Sequence, residues 1–247
     1  MPLDWLTAQP FAHRGLHDHA RGVVENTATA FAAAIAAGYG IECDLQISAD
    51  GEAMVHHDDA LGRLTEGAGP LATKTSAELK EVRFKATSDR MLSLPELCDL
   101  VAGRTPLLLE LKSRFDGDMR LIDRSVSVLA HYSGPNAVMS FDPDVIERAR
   151  RCAPTRPRGI VAEHRYAAAE WSNLSLGRRF MLRHLLHLPR TRPHFIAYSV
   201  RDLPNPAAAL ARQVLRLPFL AWTIRTQNER ESARRYADQI IFEGWHP

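Results

Sequence analysis

The stretch GIECDLQISADGEAMVHHDD, residues 40–59, decides the fold. GIECDLQ (40–46) reads as a β-strand in which Glu42 and Asp44, two positions apart, point to one face while Cys43 points to the other. SADG (48–51) is a turn, and EAMVHHDD (52–59) is an extra hairpin strand. Working outward, seven further segments have strand character: PFAH (10–13), LLLELK (107–112), AVMSF (137–141), GIVA (159–162), FIAYS (195–199), FLAWTI (219–224) and QIIFE (239–243). Helix signals fall between them. Asn26 or Thr27 caps an Ala-rich run that stops at Gly38, and DPDVIERARRC (142–152) opens with Asp and Pro before an amphipathic stretch. Strands that alternate with helices from end to end define an α/β chain with a parallel sheet. Eight such strands within 247 residues specify a closed (β/α)8 TIM barrel.

One connection is too long for an ordinary loop, since about 60 residues separate the second and third strands. A small insertion between these barrel strands, at approximately 58–105, is expected to lie over one barrel face. There is no internal repeat, linker or low-complexity tract, so residues 1–247 are expected to form a single domain.

The 31 Lys+Arg against 29 Asp+Glu give a formal net charge of +2, which argues against a nucleic-acid partner. A chain of this length buries roughly 70–75% of its unfolded surface and needs neither disulfides nor a structural metal to fold. Cys43, Cys98 and Cys152 have no CxxC spacing, and packing or surface thiols are the expectation. Asp4 stands where a secretion signal would be basic. The longest uncharged stretch, 26–41, is broken by Gly38 and Gly40, well short of the roughly 20 apolar residues of a membrane span. A cytoplasmic protein is expected.

The active site of such a barrel forms at the C-terminal ends of its strands. His13 and Arg14 end the first strand, Glu42 and Asp44 the second, Glu110 and Lys112 the third, and His57 follows the hairpin strand. A strand buried on both sides should be nearly all apolar, and an unpaired buried carboxylate costs several kcal/mol. Lys112 and Arg14 cannot neutralise three carboxylates and also remain free for a ligand. A divalent metal solves that problem, and oxygen donors favour Mg²⁺ or Ca²⁺ over Mn²⁺, with Zn²⁺ the least natural. The competing reading is a buried ion-pair network that only braces the barrel. His13 and His57 flank the cluster as an acid and base pair, and Arg14 and Lys112 offer positive charge to an anionic substrate, most simply a phosphate. His17 and His19 fall in a loop, and His56 points the other way from His57, as its surface neighbour.

FAHRGLHDHARGVVENTATAF, GIECDLQISADGEAMVHHDDALGRLTEGAG, LLLELKS, VMSFDPDVIERAR and LAWTIRTQNERESARRYADQIIFEG resemble, in that order, the glycerophosphodiester phosphodiesterase family. The resemblance runs over essentially the whole chain, and its specific elements are HRG, EN, ExD with DG and HD, and ELK. It implies a TIM barrel with a small insertion and metal-dependent hydrolysis of a glycerophosphodiester to glycerol 3-phosphate and an alcohol. It also implies that His13 and His57 are the catalytic pair and that Glu42, Asp44 and Glu110 are the metal ligands. By the same resemblance Arg14 and Lys112 contact phosphate, Glu25 orients Arg14, and Phe141 and Trp222 wall the glycerol and its substituent; barrel-top packing explains these aromatics equally well.

Two departures stand out. The family usually ends its last strand with Thr-Asp before a proline, whereas IIFEGWHP places Phe242 and Glu243 there, which implies a remodelled alcohol pocket. WSNLSLGRRFMLRHLLHLPR (171–190) is long and basic. As a helix it puts Leu174, Met181, Leu185 and Leu188 on one face and Arg179, Arg183, His187 and Arg190 opposite. An outer barrel helix with a solvated arginine face is the plainer reading, and a weak peripheral membrane contact through 174–190 is the other. Two activities therefore compete with soluble diester hydrolysis. One is a lysophospholipase D-type reaction at a membrane surface, and the other is phosphodiester binding without turnover. The expected partner is a small-molecule phosphodiester, and nothing in the residues fixes an oligomeric state.

Overall fold

The structure, a computed structural model, describes residues 3–166 and 171–247. Its strands are β1 (Phe11–Ala12), β2 (Gly40–Ile47), β3 (Ala53–Val55), β4 (Ala60–Leu61), β5 (Gly69–Pro70), β6 (Leu107–Leu111), β7 (Asn136–Ser140), β8 (Arg158–Ala162), β9 (Phe195–Ser199), β10 (Phe219–Ile224) and β11 (Gln239–Phe242). Eight of them run in the order β1-β11-β10-β9-β8-β7-β6-β2, all neighbours parallel, and β1 pairs with β2 to close the sheet. This is the (β/α)8 barrel expected from the sequence, strand for strand.

Parallel register shows which face each residue takes. Glu42 lies beside Leu108 and Asp44 beside Glu110, so the three carboxylates share the inward face with Leu108. Below them Phe11, Leu108, Ala137, Val161, Phe195, Ala197, Leu220 and Ile241 fill the barrel. The alternate residues Cys43, Leu107, Leu109 and Leu111 face outward into the helix layer, as the alternation required of Cys43. Gly40 has to be glycine, because a Cβ there would come within 2.5 Å of the Phe11 ring.

Helix starts follow the sequence signals. Thr27 accepts the Ala30 N–H to begin Ala28–Ala36, and Asp142 caps Pro143–Cys152 with proline in the first turn. Between β2 and β6, β3 turns back antiparallel on β2, and β4 and β5 form a separate hairpin. A small core of Val24, Met54, Leu61, Leu71, Leu79, Phe84 and Met91 fixes this segment over the barrel mouth. The stretch also contains the helix Leu94–Val101, whose Leu94, Leu97, Cys98 and Val101 pack into the outer barrel core.

Two local expectations are corrected. His56 is not a surface residue; it is 1% exposed, because the inserted segment folds back and sets Phe84 against it. Nor is 174–190 one helix with a free arginine face. The helix Leu176–Arg183 stops, Leu185 takes a left-handed φ of 54°, and a second turn spans Leu188–Thr191. His187 is buried, Arg190 pairs with Asp144 and Glu147, and Arg179 donates to the carbonyls of Ser172 and Leu174. Carboxylates on the helix Pro143–Cys152 therefore pair with Arg190, whose side chain stays 41% exposed. Among the described residues, no helix is long and apolar enough to cross a membrane.

Candidate active site

The C-terminal ends of the barrel strands and the inserted segment enclose a cavity of about 1260 Å³. His13, Arg14, Glu42, His57, Glu110 and Lys112 all line it. Asp44 lies just beneath, its carboxylate joined to Lys112 Nζ at 2.8 Å and to Arg14 Nε at 3.2 Å. One oxygen from each of Glu42, Asp44 and Glu110 lies within 4.8 Å of the other two, and all three residues are buried.

The HRG turn that ends β1 has left-handed backbone at Arg14 (φ 57°) and Gly15 (φ 79°). At Gly15 a side chain would also strike Ala30 and Phe31. A left-handed arginine is strained, and such strain concentrates at functional positions. Here it turns the Arg14 N–H onto Glu42 Oε2 at 3.0 Å and the guanidinium onto Glu25 at 2.7 Å. Asn26, also left-handed at φ 57°, holds Asp44 Oδ2 at 2.9 Å and accepts the Asp44 N–H. The EN pair therefore braces one cation that lines the cavity and one buried carboxylate.

Burial raises the Glu42 pKa well above its usual value, and repulsion from Asp44 and Glu110 adds to it. Burial acts the same way on Asp44, but Lys112 and Arg14 outweigh it and hold that carboxyl well below the carboxylate range. Three carboxyls thus share two cations, and Glu42 is the one pushed towards its protonated form. An all-oxygen donor set of this span suits a hard divalent ion with metal–oxygen distances of about 2.0–2.6 Å.

Both histidines are held at Nδ1 by a carboxylate. Glu243 Oε2 lies 2.6 Å from His13 Nδ1, and Asp58 Oδ1 lies 2.8 Å from His57 Nδ1. An Nδ1 proton shared with a carboxylate leaves Nε2 as the working nitrogen. His13 Nε2 faces the cluster, 4.0 Å from Glu42 Oε2. Burial lowers the His13 pKa, against the upward pull of the Glu243 bond. Burial would raise the Glu243 pKa, but its bonds to His13 and Arg225 hold it well below the usual range.

Opposite the histidines, Phe141 packs against Trp171 at 5.1 Å and edge-on against Trp222 at 5.6 Å, and Phe115 meets Trp171 at 6.0 Å. The Trp222 Nε1 has no partner among the described residues. Of the residues expected from the sequence, Phe141 and Trp222 join the six named above in lining the cavity, while Asp44 and Glu25 lie behind them against Arg14. The sequence reading missed Asp58, Arg63 and Asn26 as supports, and Trp171 in the aromatic wall. Asp58 stands beside His57 and Asn26 beside Glu25, so adjacency was the available signal. From the sequence Glu243 is only a departure from the family's strand end with no role of its own; in the fold it bonds His13 Nδ1.

Fold and mouth together define a class of TIM-barrel protein with buried carboxylates, paired histidines and cations converging on one cavity. A profile of the glycerophosphoryl diester phosphodiesterase family matches residues 13–241, and the chain belongs to that family. The glycerophosphodiester phosphodiesterase of Caldanaerobacter subterraneus is 29% identical over 160 residues, 61% of this chain and 65% of the relative. A Mycobacterium tuberculosis protein named "Probable glycerophosphodiester phosphodiesterase 1" is 30% identical over 184 residues, 64% of this chain and 66% of the relative. These alignments therefore span just under two thirds of each relative's length. An Oleispira antarctica phosphodiesterase, solved with its product sn-glycerol 3-phosphate, has the same fold at a TM-score of 0.77 and 22% identity, covering 95% of this chain and 92% of that one.

Proposed function

We propose that this chain hydrolyses glycerophosphodiesters to glycerol 3-phosphate and an alcohol, with a divalent metal held by Glu42, Asp44 and Glu110. The observation that carries the reading is the convergence of that carboxylate triad with two Nδ1-anchored histidines on one cavity. A bound divalent ion supplies Lewis-acid stabilisation of charge on the phosphoryl oxygens. Mg²⁺ or Ca²⁺ suits the all-oxygen donors best.

Arg14 and Lys112 bind the anionic phosphate and hold it in line with the histidines. His13 Nε2, kept neutral by burial, takes the proton from the attacking oxygen as the new P–O bond forms. His57 Nε2 gives its proton to the leaving alkoxide as the ester P–O bond breaks. The attacking oxygen is that of water, or of the glycerol 2-hydroxyl with a cyclic phosphate as the first product. Phe141 and Trp222 wall the glycerol and its substituent, with the Trp222 indole N–H offered to a hydroxyl.

Release of glycerol 3-phosphate from glycerophosphocholine, measured with and without chelator, tests this reading. Chelation should abolish release and added Mg²⁺ or Ca²⁺ should restore it, and Glu110→Gln should lose both turnover and bound metal. Full turnover by metal-free protein would sink the metal assignment. Absence of turnover with tight diester binding would instead select the non-catalytic binding reading.

A further inference from the structure

The inserted segment carries a residue that the chemistry above does not use. Arg63 follows β4 in HDDALGRLTEG, and its side chain is 45% exposed. Its guanidinium is nonetheless fully committed. Nε donates to Asp58 Oδ2 at 2.6 Å and Nη2 to Asp58 Oδ1 at 3.1 Å. Nη2 also donates to Glu25 Oε1 at 2.7 Å, with Nη1 near Glu25 Oε2 at 3.4 Å. Each of these carboxylates in turn holds one group that faces the phosphate space. Asp58 Oδ1 holds His57 Nδ1 at 2.8 Å, and Glu25 Oε1 accepts from Arg14 Nη1 at 2.7 Å.

The backbone that presents Arg63 is fixed from both sides. The Gly62 N–H donates to the buried Thr65 Oγ1 at 3.2 Å, the Lys85 ammonium donates to the Gly62 carbonyl, and the Lys85 N–H donates to Leu64 at 2.9 Å. Leu61 and Phe84 join the same small core as Val24, the residue before Glu25. Arg63 is therefore delivered in a set place beside Glu25, and ordering it costs little at the moment of reaction.

We propose that Arg63 is a positioning residue that couples the two halves of the site, acting on His57 through Asp58 and on Arg14 through Glu25. The inference rests on the phosphodiesterase reading. A single guanidinium forks both carboxylates. Remove it and Glu25 is left to Arg14 and His19 alone, which lets Arg14 follow Glu25 away from the phosphate. Asp58 loses its cation and holds His57 in a looser ring orientation. An ammonium in place of the guanidinium is a point charge and cannot reproduce both forks.

The experiment uses the metal-loaded full chain and two substrates, glycerophosphocholine and the p-nitrophenyl ester of glycerol 3-phosphate, whose leaving group needs no proton. With glycerophosphocholine, Arg63→Ala should lower kcat/KM by about 10–100-fold, the scale of lost outer-shell support. kcat should fall and KM should rise. Asp58→Asn should reproduce the kcat part and Glu25→Gln the KM part. Adding Arg63→Ala to either single variant should cost less than it does in the wild type. With the nitrophenyl ester, the kcat loss in Arg63→Ala and Asp58→Asn should shrink to within about threefold, as expected when the missing function is proton delivery by a well-placed His57, while the KM loss persists. Arg63→Lys should regain the wild-type melting temperature without regaining kcat/KM. Full recovery of activity by Arg63→Lys, or strictly multiplicative double variants, would reduce Arg63 to a fold brace and overturn the proposal. An active wild type with an unaffected Arg63→Ala overturns this inference alone, whereas a wild type that releases no glycerol 3-phosphate overturns the phosphodiesterase reading beneath it.

Discussion

The two histidines of this site stand on different kinds of support. His13 directly follows β1, and Glu243 directly follows its neighbour β11; the two strands are in parallel register, and the His13 N–H donates to Phe242 O at 2.9 Å. One sheet therefore places both the imidazole and the carboxylate that orients it. His57 follows the three-residue strand β3, at the entry to the inserted segment, and is fixed by the Gln46 amide on its carbonyl and by its chain neighbour Asp58. Its side chain is 32% exposed against 12% for His13. A residue carried by a closed sheet needs one partner to be precise. A residue carried by a loop needs a network, here Asp58, Arg63 and Glu25.

The largest effects should ignore this difference. His13→Ala and His57→Ala should each cost about 10²–10⁴ in kcat, and the double variant should cost less than the product of the two if both act in one transition state. Near-normal turnover in either single variant would remove that residue from the chemistry and break the comparison at its root.

The supports should then separate. Glu243→Gln keeps the size of the side chain but removes the charge opposite His13, and should cost about tenfold to a hundredfold in kcat. Because the sheet still places the imidazole, melting should change little. A loss as large as that of His13→Ala would mean that Glu243 itself touches substrate.

The smallest effect should be seen in acid. Burial would raise the Glu25 pKa, but hydrogen bonds from Arg63 and Arg14 hold it at about 2, and hydrogen bonds from Arg63 and His57 hold Asp58 at about 2. Carboxyls depressed in the folded state stabilise it above their ordinary pKa, near 4, and lose that contribution as pH falls towards 2. For Glu25 the loss is on the order of 2 kcal/mol once solvent screening is allowed for. Between pH 4 and pH 2, amide protection, with the intrinsic pH dependence of exchange divided out, should therefore fall in the inserted segment before it falls in the barrel strands. Uniform loosening of both would show that the inserted segment does not depend on these ion pairs.

Much of this was readable before any coordinates. Apolar runs such as LLLEL and FIAYS can be stable only in a buried sheet, and eight of them spaced by helix signals leave few arrangements besides a barrel. Glu42, Asp44 and Glu110 were legible for the opposite reason, as carboxylates that break an apolar strand at its functional end. Strand periodicity is local, so which of these residues share a face was already decided by the spacing of two.

What periodicity cannot supply is the neighbour across a gap. Alternation put His56 on the face opposite His57 but said nothing of what covers that face, and Phe84 covers it. Helical spacing in 171–190 marked out an arginine stripe, yet Asp144 and Glu147, on another helix, decide where Arg190 goes and so where the stripe ends. Glu243 lies 230 positions from His13, and only closure of β1 against β11 brings them to 2.6 Å. By itself the sequence determined the strands, their inward faces and the residue types at their ends, because those follow from short-range chemistry. The tertiary structure alone decided which carboxylate orients which histidine and which cation ties the inserted segment to the barrel, because those contacts exist only once distant segments are packed together.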